Sequence, residues 1–388
     1  MPSLQTPSFY GRWRYLLSLV SLTALCACSK PLPVMTPEES KAIQTLTADM
    51  RTRCVGRYLV DLPQRFVLNP WSRTEFVIDL EEIKVTQIVP MSRARFETEL
   101  EVFKAQMRGN MKPPKDPTVA FVQGQYIPRG TEAGLIVDRA KGDVDDRQMP
   151  PAFRQLEAIA WKAGYLLRAH IAAFNPKLSR SDHGNRQSDV PEKLELLQSV
   201  LERLRGRDDL EIPTEPGVCF ANGFLMGPAN ASQHEWLEIY HHLDAAPDVY
   251  TDIRQISKLK QDTHLLERGD AIEPALKKAK GHTVRKGMAQ AQIPGAQEWL
   301  RTGMHEFNQF LAQDFALEAN SKSGKSSAPF FSLGLSNGFF IPKPVRPEDE
   351  LEEAATRKPL PKATFSEAQV LALWDAIVPT LRPRPGAF

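Results

Sequence analysis

The chain has 388 residues, 42% of them hydrophobic and 25% charged, with a formal net charge of +2. That length suits about two ordinary domains, each with its own core. The near-neutral balance gives no electrostatic case for nucleic acid or for an anionic lipid surface, and 31 prolines favour many short elements over long helical bundles.

Arg12 and Arg14 precede an apolar run from Leu16 to Ala27. A basic head before about a dozen apolar residues has the charge and length of a secretory signal, and it is too short to span a bilayer comfortably. Removing it takes away two of the 49 basic residues and no acid, which leaves 47 of each sign. Leu25-Cys26-Ala27-Cys28 resembles the lipobox of bacterial lipoproteins, whose last Cys takes a diacylglyceryl group through its thiol and becomes the new amino terminus. Cys26 stands where Ala, Ser or Thr is usual. The resemblance implies a cleaved signal over 1–27, a lipid anchor on Cys28, a periplasmic address and, from Ser29 in place of Asp, the outer membrane. Several acyl chains hold a protein where one binds only reversibly. Ordinary cleavage with a soluble product is the alternative.

Residues 28–50 read as a tether and a first helix. Thr36 caps that helix, Pro37 suits its first turn and Glu39 completes a capping box. "TRCVGRYLVDLP" reads as a strand that stops at Pro63, and period-two stretches follow around Phe76, Ile78 and Leu80, then Ile83 and Val85, with a bulge expected at Glu81-Glu82. Phe96, Leu100, Phe103 and Met107 recur on one helical face from Ser92. Short strands "TVAFVQGQYI" and "AGLIVDRA" come next. The stretch 154–174 fits a long helix or a hairpin, and Gly164 in its middle favours the hairpin. A helix from an Asp189 cap follows, with Pro191 in the first turn and Glu192 closing a box.

The sequence then restarts. "GVCFANGFLMGP" echoes "CVGRYLVDLP", each is followed by strands and a helix, and each half ends in an amphipathic helix, the second carrying Val370, Leu373, Trp374, Ile377 and Leu381 on one stripe. The reading is an α+β fold of two similar lobes, each an antiparallel sheet plus helices, over 51–210 and 211–388, with an internal duplication. Chance similarity of two unrelated α+β domains is the alternative. Cys54 and Cys219 remain once Cys28 is spent on lipid, and in an oxidising compartment they are expected to pair; two buried thiols that never meet is the alternative.

Three segments imitate catalytic motifs. "GLSNG" at 334–338 matches the G-x-S-x-G nucleophile turn, but Pro342 and Pro344 forbid the helix that must follow, and no His lies beyond His305. "ANSKSGKSS" has Ala319 where a phosphate loop needs Gly. His234, His241 and His242 lack the spacing of a helical zinc pair and read as polar surface residues. Asp143, Asp145, Asp146, Glu350, Glu352 and Glu353 sit in charge-mixed loops without an apolar shell. No catalytic residue, metal or cofactor is expected, and a binding role is favoured over an enzyme.

Cys54, Val55, Gly56, Arg57 and Tyr58, and then Pro216, Gly217, Cys219, Gly223 and Phe224, carry a further likeness. They resemble the openings of the two domains of the immunity proteins that neutralise type VI secretion lipase effectors, the class-4 lipase immunity family. Val218 replaces the usual aromatic, and Asn222 stands where Gly is common. The resemblance implies a periplasmic protein, monomeric when free, that clamps a cognate secreted lipase between two lobes and blocks its activity, with no nucleic-acid partner. "AKGDVDDRQMP" and "EWLEIYHH" are guesses for the contact surface. An envelope lipoprotein with a structural or ligand-binding role is the alternative.

Overall fold

The computed structural model describes residues 31–70, 72–78, 81–109, 121–141, 152–178, 186–305, 309–341 and 360–388. The leader, Cys28, Asp143, Asp145, Asp146 and Glu350, Glu352 and Glu353 lie outside them, as does most of "AKGDVDDRQMP". Helix α1 (Pro37–Thr47) opens as its sequence dictates: the Thr36 hydroxyl accepts from Glu39 N, and the Glu39 carboxylate accepts from Thr36 N at 2.8 Å. Each bond satisfies a donor that the helix ladder leaves orphaned.

Thirteen described strands share one antiparallel sheet. Its N-terminal side runs β4 (Arg73–Ile78), β5 (Glu81–Pro90), β9 (Tyr165–Phe174), β8 (Phe153–Lys162), β7 (Ala133–Ala140) and β6 (Val122–Tyr126). Its C-terminal side runs β13 (Gln233–Leu243), β14 (Ala246–Ile256), β18 (Phe330–Asn337), β17 (Leu311–Ala319), β16 (Gln297–Met304) and β15 (His282–Met288). Each strand number on the second side is nine higher than its counterpart on the first. The two α+β lobes therefore repeat one topology and share a continuous sheet, joined where β4 pairs β13 antiparallel, Ile78 opposite Gln233 and Arg73 opposite Glu238. The short β3 (Phe66–Leu68) continues along β13.

Helices repeat in the same places. Helix α2 (Arg93–Gly109) connects β5 to β6, and α4 (Gly269–Lys278), preceded by a 3-10 turn at Leu265–Arg268, connects β14 to β15. Phe96 and Phe103 of α2 are buried against Val137, Ile159 and Leu166 on one face of the sheet. Helix α3 (Val190–Arg203) follows β9, and α5 (Glu367–Ile377) follows β18; both pack on the other face, burying Leu197, Leu201, Leu373 and Trp374 in the main core. Leu381 is also buried there, but it lies beyond the helix, after a 3-10 turn.

That second face also carries two small sheets. What reads as one strand up to Pro63 is a hairpin, β1 (Met50–Val55) and β2 (Tyr58–Pro63), because Gly56 takes φ +60° and folds the chain back after Val55. Its counterpart is β11 (Gly217–Phe220) with β12 (Gly223–Met226). The hairpins are exchanged. Tyr58 of the first half packs on Phe331 of β18 with ring centroids 4.6 Å apart, and Phe220 of the second half packs on Phe76 of β4 at 5.5 Å. The closing strands are exchanged as well: β10 (Leu204–Gly206) adds to β12, and β19 (Arg382–Pro383) adds to β2.

Three local expectations change. Asp189 does not cap α3; its carboxylate accepts from Phe174 N at 2.6 Å and ties the helix start to β9. Glu81 and Glu82 open strand β5, paired with Ile78 and Val77, and the bulge sits at Thr86. Ser336, rejected above as a nucleophile, lies near the end of β18, buried and opposite Tyr250 and Asp314. His241 is fully buried on β13 rather than at the surface, and "EWLEIYHH" is a central strand.

Candidate functional site

The residues singled out in the two openings converge where the hairpins meet. Gly56 and Cys219 exchange backbone hydrogen bonds at 2.8 Å in each direction, which joins the small sheets. Beside that bridge Cys54 and Cys219 form the expected disulfide, with Cα atoms 5.7 Å apart and a sequence separation of 165. Both are fully buried. Gly223 packs so closely that a Cβ there would lie 2.4 Å from the Phe220 ring and 2.6 Å from Ile88. Pro216 holds the other end of its hairpin through its carbonyl, which accepts from Gly227 N at 2.9 Å, and Gly217 starts β11.

Arg57 is the charge at the centre of this junction. Its Nε and Nη2 donate to the two carboxylate oxygens of Glu235 at 3.1 and 2.6 Å, with both side chains almost fully buried. Gln255 closes the set: its Oε1 accepts from Arg57 N, and its Nε2 donates to Glu235, each at 2.7 Å. Arg57 Nη1 donates to the Ala387 carbonyl, and Phe388 stacks edge-on against Tyr58. A buried bidentate pair with its remaining lone pairs satisfied fixes geometry more than it adds stability. Burial pushes the Tyr58 phenol well up from its ordinary value, with Glu235 adding to the effect.

A second pair of arginines follows the duplication. Leu204-Arg205-Gly206-Arg207 closes the first half and Leu381-Arg382-Pro383-Arg384 the second. Arg207 N donates to Asn222 O, and Arg384 N to Arg57 O, each at 2.9 Å. The Arg207 side chain reaches Cys54 O at 2.9 Å and Gly223 O at 3.2 Å; Arg384 reaches Gly217 O and Pro213 O at 2.7 Å. The Phe224 ring lies between Arg205 and Arg384, 4.9 and 5.5 Å from their guanidinium carbons. Sequence reasoning passed over this Leu-Arg-x-Arg repeat, although its position directly after each closing helix was the available signal. Asp209 adds a further tie, accepting from Arg53 at 2.6 Å and lying 3.2 Å from His241 Nε2.

This junction is a clasp that ties the two halves together. Among the described residues no three His, Cys, Asp or Glu side chains stand together to hold a metal ion. No described helix is long and apolar enough to cross a membrane. A cavity of about 500 Å³ beside the clasp opens between β4 and β5 over the turn at Phe220 and Asn222.

Two family models match the chain: the Tle cognate immunity protein 4 N-terminal domain over residues 51–207 and the C-terminal domain over 211–386. The chain belongs to this family. Solved structures share the family fold at low identity. The crystal structure described as the Tle4-Tli4 complex contains a chain 20% identical, matched over 88% of this chain and 99% of that one with a TM-score of 0.61. The apo structure of TplEi, a type VI secretion immunity protein from Pseudomonas aeruginosa, is 18% identical over 87% and 98%, TM-score 0.58. TplEi complexed with an "L" peptide matches at 18% over 87% and 99%, TM-score 0.56. Among curated proteins no relative matches. Cys54, Gly56, Arg57 and Tyr58, with Gly217, Cys219, Gly223 and Phe224, are buried in this immunity protein. They are the keepers of its fold, not its surface.

Proposed function

We propose that this immunity protein works in the periplasm, where it binds a type VI secretion lipase effector and neutralises it by steric clamping between its two lobes, with the lobe boundary near residue 210. The observation that carries this reading is the match of both family domains across nearly the whole described chain. The neighbouring structure of a Tle4-Tli4 complex supports a cognate effector as the partner. The clasp supports a grip: a continuous sheet, exchanged hairpins and a central disulfide hold two lobes as one stiff body, so little ordering entropy is lost on binding. Cys28 carries the lipid that keeps the inhibitor on the outer membrane, the surface whose lipids the effector attacks. Neutralising a delivered enzyme calls for nanomolar binding or tighter, about 12 kcal/mol or more.

The test is direct. The mature protein is mixed with a purified type VI secretion lipase effector from the same organism, and phospholipid hydrolysis is followed. Inhibition reaching completion near one equivalent is expected. Full lipase activity in excess of this protein rejects the reading. Labelling cells with a radioactive fatty acid tests the anchor, and Cys28→Ala is expected to remove the label.

A further inference from the structure

The repeated topology allows the two lobes to be compared position by position, and at one place they differ. Each opening hairpin has a two-residue loop, Gly56-Arg57 in the first and Ala221-Asn222 in the second, with Cys54 and Cys219 in register. Asn222 therefore matches Arg57. Counted back from the β-hairpin turns, where Ile78 precedes the β4–β5 turn and Leu243 the β13–β14 turn, Pro70 matches Glu235, Ser72 matches Leu237 and Thr74 matches Ile239. On the C-terminal side the space under the sheet is filled: Arg57 reaches Glu235 and Gln255, and β14 is paired with β13 from Tyr250 to Ile256. On the N-terminal side the matching described residues differ. Arginine becomes Asn, its carboxylate partner becomes Pro, and two core aliphatics become hydroxyl residues.

The strands part as a consequence. Strand β5 pairs with β9 as far as Pro90, but with β4 only over Glu81–Lys84. From Val85 to Pro90 its β4-facing edge has no strand partner among the described residues. The cavity of about 500 Å³ lies against that open edge, lined by Ser72, Thr74, Gln87, Arg168, Phe220 and Asn222 among others. Thr86 and Gln87 are exposed there. Among the described lining residues Arg168 alone is charged; its Nη2 lies 3.5 Å from Glu99, and its buried Nε has no hydrogen-bond acceptor.

Resting on the immunity reading, we propose that this slot receives an extended segment of the effector, which joins β5 as an added strand and sets a carboxylate against Arg168. An open strand edge supplies main-chain hydrogen bonds, and alternate side chains fall into the cavity or away from it, which is how added strands combine affinity with selectivity. Six residues at about 3.4 Å each match a segment about 20 Å long. The charge complement is acidic, because Arg168, whose Nη2 already faces Glu99, keeps its Nε without an acceptor, and the described lining holds no carboxylate. The C-terminal lobe has no equivalent opening, since Arg57 and Glu235 occupy it.

The experiment uses the whole mature chain and the same purified lipase effector, with calorimetry for affinity and hydrogen exchange for the strand edge. Ala221→Trp fills the slot from its floor, Gln87→Trp fills it from an exposed strand position, and Arg168→Glu reverses its charge. Each is expected to weaken binding tenfold or more, and amides within 85–90 are expected to exchange more slowly in the complex. Two fillers guard against one that fails to fold. If the wild type binds, the folded fillers bind equally well and exchange over 85–90 is unchanged, the slot proposal falls and the immunity reading stands. If the wild type forms no complex, both fall.

Discussion

Arg57 shows how a single residue, through its backbone and side chain, can serve a junction of four chain segments. It meets β13 through Glu235, β14 through Gln255 and the carboxyl-terminal residues through Ala387. Arg57→Ala strands Glu235 in a buried site, and a loss of about 3–5 kcal/mol in urea unfolding is expected. Replacing both members of the pair by Met and Leu is expected to cost less, because no charge is left buried. Asp209 gives a pH signature. Burial pushes its carboxyl up, but His241, Arg207 and Arg53 outweigh that and hold it at about 2. The unfolded value is about 3.9, so between these limits the unfolded chain binds more protons. The contribution, about 2 kcal/mol, is present in full above roughly pH 4 and is lost as the pH falls toward 2. Asp209→Asn is expected to flatten that part of the stability profile measured by denaturation from pH 2 to 7.

At the level of elements, the most consequential pieces are the shortest. Strands β10 and β19 have three and two residues, yet each completes the other half's hairpin and delivers an arginine into the clasp. A chain ending at Leu381 loses β19 and Arg384, and it is expected to melt several degrees lower and to lose amide protection in β2. Much of the element pattern was legible. The capping box at Thr36, the α2 stripe and the turn at Gly164 are local signals, and each element stands where its spacing places it. Asp189 misled because a carboxylate before a helix can serve any nearby donor, and the donor of Phe174 is supplied by a strand that local sequence does not reveal. His241 misled because a single strand cannot show whether both of its faces will be covered. The repeat at 54 and 219 was legible as a pair of motifs; their exchange was not, because identical hairpins bury the same apolar area on either sheet.

For the molecule as a whole, the disulfide ties segments that the sheet, the core and the exchanged hairpins already hold together. In the chain-entropy account a crosslink over a loop of this length removes about 5 kcal/mol of unfolded-state freedom. Cys54→Ser with Cys219→Ser is expected to lower the guanidinium midpoint substantially while leaving a folded protein. The oxidised chain is expected to migrate faster than the reduced chain on a denaturing gel. Because neither half keeps its own hairpin, separately produced fragments 31–210 and 211–388 are each expected to be insoluble or dimeric, and to recover a native circular-dichroism spectrum only when refolded together.

The hairpin exchange has one last implication, for ancestry. A half-length forebear with this topology would have been whole only as a symmetric pair, two identical chains lending each other their opening strands, and any change at one interface would have been copied at the other. One polypeptide carrying both halves is free of that constraint, so the joint around Arg57 and its counterpart around Asn222 need not match.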